Sequence, residues 1–407
     1  MRRKAGLDMD YRFSSRVNQL QSSAVRDILK LTQGKEIVSF AGGLPAEELF
    51  PLDAVRQAAD RVFAKGSGSL QYGLTEGFLP LREQLCGRMA SKGMPVSPDE
   101  MILTTGSQQA IDLIVRVLTE PGDAVMVENP TYLASLQVFA MNGLNVAAAE
   151  SDDDGMLPEA AERILRERKP KLVYVVPTFS NPTGRVWSLE RRKELLELCR
   201  KYGVPILEDD PYGDIKFDAS ANYPTIFSLE GKADGGCVLY TGTFSKTVAP
   251  ALRTGWAIGD KRVIRNMAKA KQAADLHSST LDQQTLSELL RHFPLDDHIR
   301  FLGEEYGKRM RHMVSLLKGC GVPELKWGEP RGGMFIWVEL PEALDAEALL
   351  RSAVRKGVAF VPGASFYAGE PKRNTVRMNF TYTTGERMEA GVARFAEAIG
   401  EFTARST

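Results

Sequence analysis

Between about residues 100 and 260 the chain repeats one pattern: a short β-rich run, then a stretch with apolar residues at three- and four-residue spacing. The runs are EMILTTG, AVMVENP, KLVYVVPT, VPILEDDP, CVLYTGT and GWAIG. Several are apolar on both faces, and a strand of that kind must be covered on both faces. The alternation therefore calls for an α/β fold with a central, largely parallel sheet and helices on either side. The spacing predicts helices at Ser107 to Leu118, Thr131 to Met141, Leu189 to Lys201 and Lys261 to Ala274.

From about Asp296 the pattern changes to a long charged helix, GGMFIWVEL, another helix, GVAFVPG, TVRMNFTY and a final helix. That reads as a second, smaller α+β unit. With 407 residues, 43% of them apolar, the chain is too long for one small core and has the material for two. Glycine and proline clusters fall at the ends of elements, as turns do. Fifty-two basic residues balance fifty-two acidic ones, so no global positive field exists to gather nucleic acid or an anionic membrane. Cys86, Cys199, Cys237 and Cys320 stand far apart, without the paired spacing of a zinc site or a disulfide framework. No apolar run approaches the roughly 18 residues that a membrane helix needs, and the basic start MRRKAGLDMD has no apolar segment behind it. The expectation is a cytoplasmic protein without a metal, membrane or nucleic-acid partner.

The run TGTFSKTVAPALRTG follows the apolar segment Val238, Leu239, Tyr240. It crowds Thr241, Thr243 and Ser245 at a strand's carboxyl end, where ligands of α/β sheets bind. With Arg253 these hydroxyls can hold a phosphate, and Lys246 then lies beside it. A phosphate next to an amine suits a cofactor with both a phosphate and an aldehyde, pyridoxal phosphate, held covalently on lysine. Other motifs also fall at strand ends. In TTGSQQ, Ser107 can cap a helix whose free N–H groups can also receive an anion. SNPTG has the composition of a turn, and its Asn181 can also donate to a phenolate-like oxygen. EDDPY is a solvated acidic cluster or the source of one buried carboxylate for a protonated ring nitrogen. One crevice can collect them all.

The order TTGSQQ, ENPTY, SNPTG, EDDPY, TGTFSK with Arg253, then VRMNFT, resembles the fold-type-I, pyridoxal-phosphate-dependent aminotransferases of the class I/II group. The opening SSAVRDILKLTQGKEIVSFAGGLPAEELFP is most similar to their 2-aminoadipate and multi-substrate branch, which includes kynurenine aminotransferases. The resemblance implies a large cofactor-binding domain over 47–295 and a small domain from 1–46 and 296–407 with an N-terminal lid segment. It makes Lys246 the lysine that carries pyridoxal 5′-phosphate and moves the proton, Asp209 the partner of the ring nitrogen, and Asn181 and Tyr212 the donors to the ring oxygen. Tyr132 stacks on the ring, while Ser107, Gln108, Thr243, Ser245 and Arg253 form the phosphate cup. Tyr72 reaches the phosphate of a neighbouring subunit, which implies a homodimer with shared sites. Arg377 clasps the substrate α-carboxylate with Gly43 nearby, and Arg26 reads a distal carboxylate. Gln108 departs from the aspartate-aminotransferase pattern, and that enzyme's distal-carboxylate arginine has no clear counterpart.

The implied reaction passes the amino group of an L-amino acid to a 2-oxo acid such as 2-oxoglutarate. A lyase on the same cofactor is the alternative from the same class. A regulator reusing the domain is the alternative from another; it carries a helix-turn-helix ahead of the domain, and about forty residues before FAGGLP are too few for one.

Overall fold

The computed structural model describes residues 9–20, 28 and 36–406. Its centre is a seven-stranded sheet in the order Met101–Thr104, Gly255–Ile258, Val238–Thr243, Ile206–Asp209, Leu172–Val175, Ala124–Glu128, Asn145–Ala149. Gly255–Ile258 is antiparallel to both neighbours and every other pair is parallel. The six β-rich runs all form strands of this sheet. The edge strand Asn145–Ala149 gave no sequence signal because its last three residues are alanine, which has little β preference.

Alternation along each strand feeds two cores. Val173 and Val175 pack with Met126, Ile206 and Tyr240 on one face, whereas Leu172 and Tyr174 pack with Val125, Leu207 and Leu239 on the other. Helices Leu189–Tyr202 and Thr280–His292 contribute to the first core; Gly106–Leu118, Leu133–Met141 and Lys261–Asp275 cover the second. The four expected helices are therefore present, within one or two residues at each end.

A second sheet of four strands runs Lys326–Trp327, Phe335–Glu339, Thr375–Asn379, Val361–Pro362, all antiparallel. Helices Ala346–Arg355 and Gly385–Ser406 back it, and Val38–Ser39 pairs with Val358–Ala359 beside it. The helix Leu295–Gly319 spans both regions: Leu295 and Ile299 join the large-sheet core, and Leu302 through Leu317 join the small-sheet core. None of the described helices is long and apolar enough to cross a membrane.

Candidate active site

The carboxyl ends of the large-sheet strands open into a cavity of about 300 Å³, which Arg377 of the small sheet and Phe366 also line. The lysine turn forms one wall. Thr241 and Thr243 share one face of Val238–Thr243, but Thr241, further back in the strand, donates to the Trp256 carbonyl at 2.9 Å, whereas Thr243, at the strand's end, lines the cavity. The expected trio of hydroxyls is thus a pair. Thr243 Oγ1 accepts the Ser245 N–H at 3.1 Å and bonds its hydroxyl at 2.9 Å. Phe244, wedged against Trp256 at 5.1 Å between ring centroids, anchors the turn. Lys246 then reaches over the cavity, and its Nζ donates to the Gly43 carbonyl at 2.9 Å. Burial, with the positive charges of Arg377 and Arg253, pushes this amine down to about 8. An amine so placed is a nucleophile and a base near neutral pH.

The anion end lies beside it. Ser107 does not cap the helix: Gly106–Leu118 starts one residue earlier, Thr105 holds the cap position, and the Gln109 side chain accepts the Thr105 N–H at 2.8 Å. Ser107 and Gln108 therefore sit in the first turn and line the cavity, and first-turn N–H groups lack intrahelical acceptors. Gln108 also ties this turn to the next, donating to the Ala134 carbonyl at 3.2 Å. Arg253 spans Ser245 Oγ and the Thr105 carbonyl, each at 3.3 Å. A Cβ on Gly106, whose φ is +73°, would stand 2.5 Å from an Arg253 nitrogen. Only glycine lets the helix start and the guanidinium come so close. The result is a cradle shaped for a phosphate.

The three acids of EDDPY divide by direction. Glu208 turns away and accepts the N–H groups of Ile226 and Phe227 at 2.8 and 2.9 Å, closing the start of the short helix Ile226–Glu230. Asp210 accepts from the Tyr240 hydroxyl and the Gly213 N–H at 2.9 and 3.0 Å. Asp209 lines the cavity. Its Oδ2 accepts from the Tyr174 hydroxyl at 2.7 Å, while Oδ1 is buried with no partner among the described residues. Burial pushes this carboxyl up to about 7, against the pull of the Tyr174 bond. Such an oxygen on a cavity wall calls for a cationic N–H.

Tyr132, Asn181 and Tyr212 line the same space. Burial and the charge on Asp209 raise Tyr132 to about 12, so it is an uncharged ring at neutral pH. Burial raises Tyr212 too, while its bond with Asn181 lowers it. Asn181 Oδ1 also accepts from Arg377 Nη1 at 2.8 Å, joining the two sheets across the cavity.

Arg377 occupies an inner strand of the small sheet, opposite Trp337 and Val361, and is 3% exposed. Its Nη2 donates to the Ala41 carbonyl at 2.7 Å, and Nε has no partner among the described residues. The Phe335 and Phe366 rings lie 4.2 and 5.1 Å from the guanidinium carbon. Burial pushes its pKa down to about 10, and no carboxylate among the described residues bonds it. Phe335, Phe366 and Tyr174 are the residues that sequence reasoning missed. Tyr174 belongs to the apolar β-rich run KLVYVVPT, Phe335 to the run GGMFIWVEL, in which the pattern singles out no site residue, and Phe366, in GASFY, carries no periodic signal.

Gly43, Ser107, Gln108, Tyr132, Asn181, Asp209, Tyr212, Thr243, Ser245, Lys246, Arg253 and Arg377 thus meet around one cavity. Tyr72 does not: it is 78% exposed and stands edge-on to His277, with ring centroids 5.6 Å apart. Arg26 lies outside the described residues.

Residues 35–395 match the family model of aminotransferase class I and II. An aromatic-amino-acid aminotransferase of Thermococcus litoralis is 40% identical over 97% of this chain and 95% of its own. The crystal structure of a Pyrococcus horikoshii kynurenine aminotransferase, solved with PMP, superposes with a TM-score of 0.90 at 40% identity, covering 96% of this chain and 97% of that one. An α-aminoadipate aminotransferase of Thermus thermophilus, complexed with N-(5′-phosphopyridoxyl)-L-leucine, gives 0.89 at 35% identity over 97% and 98% of the two chains. Sequence, fold and the cavity's chemistry agree: the chain belongs to the class I and II aminotransferases.

Proposed function

We propose that this enzyme binds pyridoxal 5′-phosphate in the cavity and moves the amino group of an L-amino acid to a 2-oxo acid such as 2-oxoglutarate. One observation carries the reading: Lys246 stands between a phosphate cradle with a glycine opening and a buried carboxylate whose Oδ1 lacks a partner among the described residues. The residues fit the group at both ends. Ser107, Gln108, Thr243, Ser245 and Arg253 would hold the phosphate, Asp209 the ring nitrogen, Asn181 and Tyr212 the ring oxygen, and Tyr132 one face. When bound, the group supplies an electron sink that lets an amino acid lose its Cα proton.

The chain's own residues do the rest. Arg377, buried and without a carboxylate partner among the described residues, takes the substrate's α-carboxylate and turns the Cα–H bond towards Lys246. Lys246 Nζ accepts that proton and returns it later, as base and then acid. The wall formed by Leu133, Val176 and Phe366 is apolar and suits aromatic or aliphatic donors. The relatives act on aromatic amino acids, kynurenine and 2-aminoadipate, which favours such donors here, and the reading of a distal carboxylate is assigned to Arg26 from its place in SSAVRDILKL. Leu52, Phe63, Leu70, Tyr72 and Leu74 are each more than half exposed, which supports a homodimer in which Tyr72 completes the partner's phosphate cradle, and the free cysteines Cys86, Cys199, Cys237 and Cys320 fit a cytoplasmic location. The division into 47–295 against 1–46 with 296–407 is the domain reading that goes with it.

The test is a panel of donors in single half-reactions, followed by cofactor absorbance. Aromatic and acidic amino acids are expected to convert the cofactor to its amine form, and borohydride before substrate is expected to fix it on Lys246. Labelling of another lysine, or loss of carbon dioxide or a side-chain group in place of transamination, overturns the proposal.

A further inference from the structure

Asp209 is a buried carboxylate with one hydrogen bond where a free carboxylate in water has several. That bond comes from Tyr174, which is fully buried in the middle of Leu172–Val175, opposite Val127 on one side and Leu207 on the other. Its ring meets Phe139 edge-on at 5.6 Å between centroids, so packing fixes the hydroxyl in place. At 2.7 Å it engages Oδ2 and leaves Oδ1 as the oxygen without a partner among the described residues. The other titratable groups that act on Asp209 or feel its charge are Tyr132, Tyr212 and Asp210. Among the described residues, none of those three is hydrogen bonded to it.

We propose that Tyr174 is a positioning residue that selects the Asp209 oxygen presented to the cofactor ring and, by donating to the other oxygen, keeps the shared proton on the ring nitrogen. The inference rests on the reading that the cavity holds pyridoxal phosphate. The proton has two homes, the ring nitrogen and Asp209 Oδ1. Burial favours the neutral pair, a plain pyridine beside a protonated carboxyl, because no net charge is then separated in a site of low dielectric. A donor on Oδ2 stabilises the carboxylate form and tips the balance to the charged pair. Burial does raise Asp209 to about 7, and the Tyr174 bond is the contribution that opposes it. Removing that hydroxyl lets the proton pass from the ring nitrogen to Oδ1, with nothing gained or lost overall. The ring then draws electrons less strongly.

The experiment loads the full-length apoenzyme with pyridoxal phosphate carrying ¹⁵N in the ring. In Tyr174→Phe the ring-nitrogen resonance at neutral pH is expected to move towards the unprotonated value. The half-reaction slows by roughly 10- to 100-fold, the scale that outer partners of a reactive group carry. The donor's dissociation constant stays near wild type, and cofactor affinity falls by less than about tenfold because the phosphate cradle is untouched. A merely structural role would not move the resonance. Difluorotyrosine placed at position 174 keeps the shape and donates more strongly, so it is expected to shift the resonance the other way, towards full protonation. That arm decides the matter should the phenylalanine variant not fold. An unchanged resonance in either folded variant overturns the inference. Failure of the wild-type enzyme to take up the cofactor overturns the reading of the site itself, and this inference with it.

Discussion

Arg192 and Arg377 are both buried, and both touch the segment from Pro177 to Asn181, yet they are treated in opposite ways. Arg192, 1% exposed, donates Nε to the Trp187 carbonyl, Nη1 to the Pro224 carbonyl, and Nη2 to the Pro177 carbonyl and the Thr178 hydroxyl at 2.8 to 3.2 Å. Glu208 stands 4.0 Å away. Among the described residues Arg377 Nε has no partner, and two aromatic rings stand where a carboxylate could. Glu208 and Asp209 repeat the contrast one residue apart, one saturated by backbone N–H groups and the other left with a bare oxygen. A buried charge that serves the fold has its bonding capacity filled by the fold, whereas one that serves a ligand keeps part of it in reserve.

Exchanging the acids is the strongest way to break this contrast. Asp209→Asn is expected to slow the half-reaction by about 10³-fold, as when a preorganised electrostatic group is lost, with no loss of thermal stability. Glu208→Gln should do the reverse, lowering the melting temperature by several degrees and the rate little. Stopped-flow absorbance and calorimetry on both variants check it. A crippled rate in Glu208→Gln with a normal Asp209→Asn would mean that saturation does not separate the two roles.

The arginines give the next largest effect. Arg377→Leu should raise the donor KM by about 100-fold, the size of a charge-assisted bond to a carboxylate, and keep the melting temperature because a desolvated cation has been removed. Arg192→Leu should cost about 3–5 kcal/mol of stability, since Glu208 and four acceptors lose their partner, yet leave KM of the folded fraction near wild type. Urea titrations beside steady-state kinetics separate the two.

The sequence made one half of this contrast legible. Six strands and four helices followed from periodicity, and the strand-end motifs placed Lys246, Asn181 and the acids of EDDPY at one crevice, while the family resemblance picked Asp209 among those acids. Periodicity says which face a residue takes; it does not say whether a buried polar atom is satisfied. That is why EDDPY left a solvated cluster and a buried carboxylate both open, and why Thr241 and Thr243 looked alike until the Trp256 carbonyl claimed one of them. Tyr174 read as core because it is core, and its hydroxyl matters only through a residue 35 positions away. The helix start at Gly106 instead of Ser107 is the same lesson in small: Gln109 reaching back to Thr105 substitutes for a cap that the local pattern assigns to a serine.

A titration sharpens the contrast from the side of the lysine. In the unfolded chain this amine holds its proton to about 10.5, whereas in the folded apoenzyme burial and two guanidinium groups release it at about 8. Between those values the unfolded chain binds more protons, so this group adds stability to the apoenzyme as pH rises through that window. Capture of pyridoxal phosphate needs the neutral amine, and its rate should climb as pH passes about 8. In Arg377→Leu one positive neighbour is gone, so the midpoint should move up by roughly half a unit to one unit. Rapid mixing of apoenzyme with cofactor across pH reads it; a midpoint that does not move would show that burial and Arg253 set it without Arg377.

The smallest effect belongs to Phe366. Its ring lies 5.1 Å from the Arg377 guanidinium and edge-on to Trp337 at 6.0 Å, while its carbonyl accepts the Thr131 N–H at 2.8 Å beside Tyr132. Phe366→Leu keeps the backbone bond and much of the apolar wall but removes the π face. A cation–π contact of this kind is worth about 0.5–2 kcal/mol, so the donor KM should rise roughly 3- to 20-fold with kcat little changed. Phe335→Leu, whose ring is nearer at 4.2 Å, should cost more. The two accounts of Phe366, as a clamp on Arg377 and as a wall for the substrate side chain, part in the Arg377→Leu background. A clamp has nothing left to hold there, and the second substitution should add no further loss of KM for any donor. A loss that persists in that background and grows with the size of the donor's side chain would make Phe366 a wall, and the reserve of Arg377 would then rest on Phe335 and its two hydrogen bonds alone.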